Sequence, residues 1–240
     1  IGRHPRIAGQ ALRRVDQMQC GLQSHTLPLC SQPMTPALPM TLTDRKTLAL
    51  HRARATTFFM QEEVAAEVQD RLSEVNRSFT NPLVVTAFPH LWPDFPSIAD
   101  DDTLNLQPEA QDLVIHALTL HWANDPVGQL VQCRRALIPD GLFLGLMFGG
   151  QTLHELRICL AQAEAETTGG LSPRVLPMGE IRDLGGLLQR AGFALPVADS
   201  FTKTVLYRDA FHLMADLRAM GEGNALAARL KYPTRRAVLA

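Results

Sequence analysis

Acidic and histidine side chains near the middle of the chain could do chemistry. Three consecutive carboxylates, Asp100 to Asp102, follow an apolar segment, and His116 and His121 come shortly after them. Neighbouring carboxylates raise one another's pKa, which suits them to general acid and base catalysis. A solvated acidic loop is the commoner outcome for such a run, and both interpretations stay open at this point.

The same histidines could contribute to a metal site together with Cys133 or Asp125. Two histidines five positions apart, with the first on a predicted strand, do not converge as an H-x-x-x-H pair on a helix does. The four cysteines of the chain contain no C-x-x-C pair. We therefore predict no metal site.

The elements that must position these side chains are predicted by apolar runs. Strands are predicted at Leu83–Ala87, Asp112–Leu118 and Leu142–Phe148. A helix over Pro126–Leu137 links the last two strands and ends at a turn, Pro139–Gly141, in which glycine would accept a positive φ. A strand, a helix and a strand joined by short links form a parallel βαβ unit.

Further helices and a hairpin complete the predicted architecture. Helical periodicity covers residues 59–75, 151–166 and 179–193, and a last helix begins near residue 209. Two alternating runs, Ala194–Asp199 and Thr202–Tyr207, are predicted to pair antiparallel. The fold class is therefore α/β, a three-layer Rossmann-like sheet that is mostly parallel with a C-terminal antiparallel hairpin.

Composition excludes some classes of partner. The 240 residues are 46% hydrophobic and 20% charged, with a formal net charge of -1. This balance gives no support to nucleic acid or an anionic membrane as the main partner. Since no apolar run approaches the roughly 20 residues of a membrane span, we predict no span. The cysteine usage predicts a reduced, cytoplasmic protein.

The two ends of the chain differ from its body. Residues 1–39 carry four arginines against the single acid Asp16, followed by a proline-rich run. We predict a disordered or non-native extension there, with a mitochondrial transit peptide, and hence the matrix, as the alternative. The domain is predicted over residues 40–240, and it stops within an amphipathic pattern that suggests a truncated C-terminus.

Several stretches resemble a known family. They are "DLVIHALTLHWANDP", "LIPDGLFLGLMFGGQTLHELR", "GGLSPRVLPMGEIRDLGGLLQRAGF" and "LMADLRAMGEGNA". Together they resemble class I S-adenosylmethionine-dependent methyltransferases. The subgroup they resemble contains the malonyl-carrier-protein methyltransferases of biotin synthesis and the mitochondrial complex I assembly factor that hydroxylates an arginine. The resemblance runs from about Asp44 to Arg229, and "FGG-TL-ELR" and "MGE-N" resemble the assembly-factor branch more.

The resemblance implies S-adenosylmethionine as cofactor and assigns three residues to it. It puts Asp100 near the adenine amino group, the backbone of Asp101 near the adenine ring, and His116 near the methionine moiety. The family's first strand ends in a glycine-rich loop, whereas here the strand is followed by Phe88-Pro89-His90. Because prolines recur in the short segment up to Ile98, the first crossover helix is predicted to be shortened or absent.

These features together predict the function. We expect a methyltransferase-fold protein that is degenerate at its cofactor site and acts in assembly or binding, with an assembly partner or protein substrate. The alternative is an active methyltransferase or hydroxylase that modifies a carrier-protein ester or a complex I subunit. No catalytic residue is assigned from the sequence.

Overall fold

A four-stranded parallel sheet forms the centre of the fold. The computed structural model describes residues 41–239. The strand order is β2-β1-β3-β4, and every neighbouring pair runs parallel. The strands are β1 Pro82–Val85, β2 Ser97–Ile98, β3 Gln111–Ala117 and β4 Leu137–Leu146. This confirms the predicted α/β fold with a mostly parallel sheet.

Helices surround the sheet. Within the described residues they are α1 Arg45–Arg52, α2 Phe59–Glu74, α3 Pro126–Ala136, α4 His154–Thr168, α5 Ile181–Arg190, α6 Ala210–Ala219 and α7 Arg236–Leu239. Two single 3-10 turns lie at Pro89–Leu91 and Leu120–Trp122. No helix within residues 41–239 is both long and apolar enough to cross a membrane.

The central strands β1 and β3 bury side chains on both of their faces, as their continuous apolar sequence predicts, whereas β2 and β4 are only partly buried. Val84 packs with Val64 and Val68 of α2 on one face. On the other face Val114 packs with Cys133 of α3. Because successive side chains of a strand point to opposite faces, α2 and α3 cover the two sides of the sheet and make three layers.

The connection from β1 to β2 contains no α-helix. Its only regular structure is the 3-10 turn Pro89–Leu91. The ladder to β2 is short, with Val84 N–H donating to the Pro96 carbonyl at 2.9 Å and Thr86 N–H to Ile98 at 3.0 Å. The predicted shortening of the first crossover is confirmed.

The predicted turn at Pro139–Gly141 lies inside a strand. β4 begins at Leu137, and its pairing with β3 shifts register between Leu137 and Leu142, so the intervening residues form an irregularity in the strand. Asp140, not Gly141, has the positive φ, at 65°. Aspartate tolerates the left-handed region better than most residues. The prediction that Gly141 has the positive φ of this turn is therefore wrong.

The predicted C-terminal hairpin is not confirmed. Residues 194–207 lie within the described part of the chain and contain no strand. Leu195 and Leu206 are 94% and 90% exposed, so the alternating pattern buries no common face. The two runs are short, and Pro196 removes a backbone donor from the first, which weakens any ladder between them.

The start of the described chain is joined to its C-terminal part. Asp44 N–H donates to the Ala225 carbonyl at 2.8 Å, and Ala227 N–H donates to Leu42 at 2.9 Å. Arg229 contacts the Asp44 carboxylate at 3.0 Å. These bonds hold the segment after α6 beside α1.

Candidate functional site

Polar side chains collect where the parallel strands end. Asp100 follows β2, His116 is near the end of β3, and His121 and Trp122 follow β3 in a 3-10 turn. Ligands of open parallel sheets bind at this carboxyl edge. Three further side chains join from helices and the C-terminal segment. We call the set the edge cluster, and its members are Arg52, Asp100, His116, His121, Trp122, Gln129 and Glu222.

The Asp100 carboxylate forms ion pairs with two arginines of α1. Arg52 Nη1 lies 2.8 Å from both of its carboxylate oxygens, and Arg45 Nη1 lies 3.3 Å from one of them. Arg45 also contacts the Asp100 backbone carbonyl. The Arg52 and Asp100 side chains are only 8% and 7% exposed. This is a buried, hydrogen-bonded ion pair between α1 and the loop after β2.

Helix α1 is positioned for this pairing by its own cap. The Asp44 carboxylate accepts the Thr47 backbone N–H at 3.1 Å and the Thr47 hydroxyl at 2.9 Å. Those bonds and the bond from Arg229 lower the pKa of Asp44 to about 2. The carboxylate therefore stays ionised at the helix N-terminus, where the helix dipole favours negative charge.

The loop that carries Asp101 is held by α3 through its backbone. Gln129 Nε2 donates to the Asp101 carbonyl at 2.9 Å, and Gln132 Nε2 approaches the Asp102 carbonyl at 3.3 Å. The Asp101 and Asp102 side chains are exposed. The three consecutive carboxylates therefore do not form one acid/base group, because Asp100 points inward and its neighbours outward.

His116 is completely buried in β3. Its Nε2 lies 3.1 Å from Gln129 Oε1, and its Nδ1 lies 3.1 Å from the Thr119 hydroxyl. Burial lowers the pKa of His116 to about 4, against the opposing effects of the Gln129 hydrogen bond and the charge of Asp100. The ring is thus a neutral, fully bonded member of the core at neutral pH.

A second part of the edge cluster was missed by the sequence reasoning. The Glu222 carboxylate accepts Trp122 Nε1–H at 2.7 Å and lies 3.4 Å from His121 Nε2. Burial disfavours its charge, but the His121 hydrogen bond, the charges of His121 and Arg52, and the Trp122 bond together lower the pKa of Glu222. Glu222 lies in the "MGE-N" stretch, which was noted only as part of the resemblance.

Two glycines bring Glu222 this close to α1. Gly221 has φ +78°, and a Cβ placed on it would lie 3.0 Å from Arg52 Cα. A Cβ on Gly223 would lie 3.1 Å from His51 Nδ1. The segment can therefore lie against the helix only because these positions lack a side chain.

Several buried polar atoms of the edge cluster have no hydrogen-bond partner within residues 41–239. They are Arg52 Nε and Nη2, His121 Nδ1 and Glu222 Oε1. Buried polar atoms are almost always satisfied in proteins, by water or ligand where protein atoms do not serve. Both donors and acceptors are left over here, and a water or a small polar ligand would satisfy them if it were bound.

The loop after β1 satisfies its own backbone. Phe88 N–H donates to the Thr86 hydroxyl at 3.1 Å, Leu91 N–H to the Phe88 carbonyl at 3.1 Å, and Trp92 N–H to Pro89 at 3.0 Å. Pro89 has no N–H. No glycine stands between Gly21 and Gly128. The loop thus presents few free donors to a ligand.

Aromatic rings fill the space around this loop. Phe88 is 6% exposed, and its ring centroid lies 5.1 Å from that of Phe58. His90 lies 4.8 Å from Phe58 in the same edge-to-face manner. Trp92 is buried in the core beneath α2, with Phe95 against it. The apolar side chains after β1 therefore pack inward.

The residues considered for a metal site are not brought together. Cys133 is buried in the α3 face of the core, and burial raises the pKa of its thiol to about 12. Asp125 caps α3 by accepting the Gly128 N–H. Within residues 41–239, no three His, Cys, Asp or Glu side chains cluster so as to hold a metal ion.

Comparison with known proteins identifies relatives. A family model described as a methyltransferase domain matches residues 89–145. The arginine-hydroxylase NDUFAF5, mitochondrial, of Homo sapiens is 46% identical over 127 residues, which cover 53% of this chain and 37% of that protein. The protein of the same name from Danio rerio is 35% identical over 196 residues, 69% of this chain and 61% of that protein.

Other relatives carry methyltransferase names. The malonyl-acyl-carrier-protein O-methyltransferase of Laribacter hongkongensis is 36% identical over 131 residues, 55% of this chain and 42% of that protein. A crystal structure of a Bacillus halodurans protein named as a methyltransferase aligns with a TM-score of 0.39 at 15% identity, covering 55% of this chain and 67% of the other. The chain therefore spans well under two thirds of the length of the mammalian and Laribacter relatives.

Proposed function

Because the chain belongs to the class I S-adenosylmethionine-dependent methyltransferase superfamily, we propose that it keeps this fold for a binding or assembly role. In this proposal the cofactor cleft is closed by the protein's own side chains. The observation that carries it is the buried ion pair between Arg52 and Asp100, since Asp100 is the residue that the resemblance assigns to the adenine.

S-adenosylmethionine is the cofactor that the superfamily uses in general, and the residues at this edge do not fit it. Both Asp100 oxygens already accept a hydrogen bond from Arg52. An adenine amino group would have to displace a charged donor, and charge-assisted bonds are about twice as strong as neutral ones. His116 is buried and bonded at both nitrogens, so it has no free atom to offer.

The loop after β1 supports the same conclusion. A cofactor is held there in the superfamily by backbone N–H groups at the start of a helix, whereas this loop has one 3-10 turn and internally bonded N–H groups. Phe88 and Phe58 fill space that would need to be open. Losing several such bonds, at roughly 1–3 kcal/mol for a bond to a charged group, lowers affinity by orders of magnitude.

The proposed partner comes from the relatives. The resemblance to the complex I assembly-factor branch and the identity to proteins named as arginine hydroxylase suggest a subunit of respiratory complex I. Those relatives are named as mitochondrial, which supports the matrix over the predicted cytoplasm for this chain if residues 1–39 are a transit peptide. Residues 1–39 lie outside the part of the chain that the structure describes.

A second candidate is an active enzyme, a methyltransferase or a hydroxylase, acting on a carrier-protein ester or a complex I subunit. The buried atoms without a partner favour it, because Glu222 Oε1, His121 Nδ1 and two nitrogens of Arg52 could contact a ligand that enters the edge cluster. In this candidate Asp100, Asp101 and His116 keep their predicted cofactor roles after the Arg52 pair opens.

Complementation separates the two candidates. In cells that lack the gene we expect complex I, measured by native gel electrophoresis, to fall and to be restored by the wild-type chain. Glu222→Gln keeps the acceptor for Trp122 and removes the charge that proton transfer would need. Full rescue by this variant supports assembly without catalysis. A folded Glu222→Gln protein that fails to rescue would favour the enzyme. Unchanged complex I in the deletion would refute the assembly role and the enzyme acting on a complex I subunit, and would leave the carrier-protein ester as the substrate of the second candidate.

A further inference from the structure

A hollow of about 380 Å³ lies outside the edge cluster, between the C-terminal ends of α1 and α6. We call it the basic hollow, and it is lined by His51, Arg54, Arg218, Ala219 and Gly223. We propose that the basic hollow binds a small organic anion through a carboxylate or phosphate group.

The positive charge of the lining side chains is the first observation that supports an anion site. Arg54, in the turn after α1, and Arg218 of α6 have no ion-pair partner among residues 41–239, whereas Arg45 and Arg52 of α1 are both paired with Asp100. No acidic side chain lines the basic hollow. Both arginines are exposed. Two guanidinium groups that line one hollow favour an anion there, because their planar forks match carboxylate and phosphate oxygens.

The helix ends do not cancel this charge. Each helix C-terminus contributes a partial negative charge of about half a unit, so two ends offer about one unit against two full guanidinium charges. The net potential of the basic hollow is therefore positive.

The shape of the basic hollow is the second observation that supports an anion site. His51 Nδ1 lies 3.3 Å from the Gly223 carbonyl, and a Cβ on Gly223 would come within 3.2 Å of two ring atoms of His51. The missing side chain lets the imidazole form a wall of the basic hollow. With Nδ1–H donating to the carbonyl, Nε2 is the remaining polar atom of the ring. The volume is within the range of small-molecule sites.

A neighbouring hollow of the same size differs from the basic hollow in charge. It is also about 380 Å³ and shares Ala219 with the basic hollow, but its lining contains the Asp216 carboxylate together with Tyr207 and His212. His212 Nδ1 is already paired with Asp209, at 2.8 Å. Tyr207 donates to the Asp216 carboxylate at 2.6 Å, and burial together with that bond and charge raises the pKa of Tyr207 to about 12. Because the lining of that hollow includes a carboxylate and no arginine, an anion is expected to prefer the basic hollow.

The test is a titration of the full 240-residue chain, ¹⁵N-labelled, with inorganic phosphate and separately with benzoate. We expect saturable shifts of the Gly223 and Ala219 amide signals with at least one of them, and the better probe identifies the anionic group. Replacing Arg54 and Arg218 together by glutamine should weaken that binding about tenfold or more. Arg190→Gln, an exposed arginine at the end of α5, is the matched control and should leave binding unchanged.

Two outcomes would overturn the proposal. One is the absence of saturable shifts with both probes, and the other is equal weakening by Arg190→Gln, which would mean general attraction to surface charge. The basic hollow shares no residue with the edge cluster, so either outcome leaves the closed cofactor cleft to be judged by its own experiment.

Discussion

Removal of the Asp100 charge is the perturbation that most directly probes the packing of α1 on the sheet. Asp100→Asn keeps the size of the side chain and leaves the Arg52 guanidinium buried without its carboxylate. Two nitrogens of Arg52 already have no hydrogen-bond partner within the described residues. No neighbouring acceptor is therefore expected to replace the lost carboxylate. Breaking one side of a buried ion pair costs about 3–5 kcal/mol.

That loss is large for a domain of this size. Domains are stable by about 5–15 kcal/mol, so the variant should unfold at a much lower urea concentration, with an unchanged slope of the transition. The assay is urea unfolding followed by circular dichroism. The double variant Arg52→Met with Asp100→Asn should recover much of the loss, because the uncompensated charge is then gone.

A matched control uses an exposed pair. Asp140 is 97% exposed and lies 3.3 Å from Arg77. Asp140→Asn makes the same chemical change, and asparagine also tolerates its positive φ, so we expect no measurable shift of the midpoint. If Asp100→Asn costs less than about 1 kcal/mol, the Arg52 pair behaves as a solvated surface pair and the argument for an occupied carboxylate is wrong.

Two further predictions concern pH and backbone conformation. Burial lowers the pKa of His116 from 6.5 to about 4, so as the pH falls the unfolded chain takes up this proton first. The stability due to His116 is fully present above pH 6.5 and falls by about 3 kcal/mol towards pH 4. Urea midpoints of His116→Gln should therefore fall less over that window than those of wild type, and an identical fall would contradict the buried neutral ring. Gly221→Ala should cost at least twice as much as Gly192→Ala in the same assay. Both glycines have positive φ, but only the Cβ at Gly221 meets Arg52 Cα, at 3.0 Å. Equal costs, each about 1–2 kcal/mol, would show that Gly221 is needed for its φ alone.

The sequence predicts the parts of the fold that depend on local pattern. β1, β3 and α3 lie within one or two residues of their predicted ends, because a continuous apolar run or a helical period marks each of them. β2 was not identified because two residues, Ser97–Ile98, carry no periodicity. The register shift in β4 depends on Asp140 adopting a positive φ, which residue type alone did not reveal.

The candidate site was predicted only in part. Asp100 and His116 lie at the carboxyl edge of the sheet, as strand ends and the resemblance implied. Their partners Arg52 and Gln129 were not predicted, since the contacts join residues far apart in the chain. Glu222 was missed for the same reason, because a lone carboxylate between two glycines gives no sign that it is buried.

The most direct test of the account is calorimetric titration of S-adenosylmethionine, and of its demethylated product, into the full chain. Circular dichroism of the same sample must first establish that the protein is folded. The closed cleft predicts no binding heat at millimolar ligand. One-to-one binding at micromolar strength would contradict it, because the Arg52–Asp100 pair would then have to open for the cofactor.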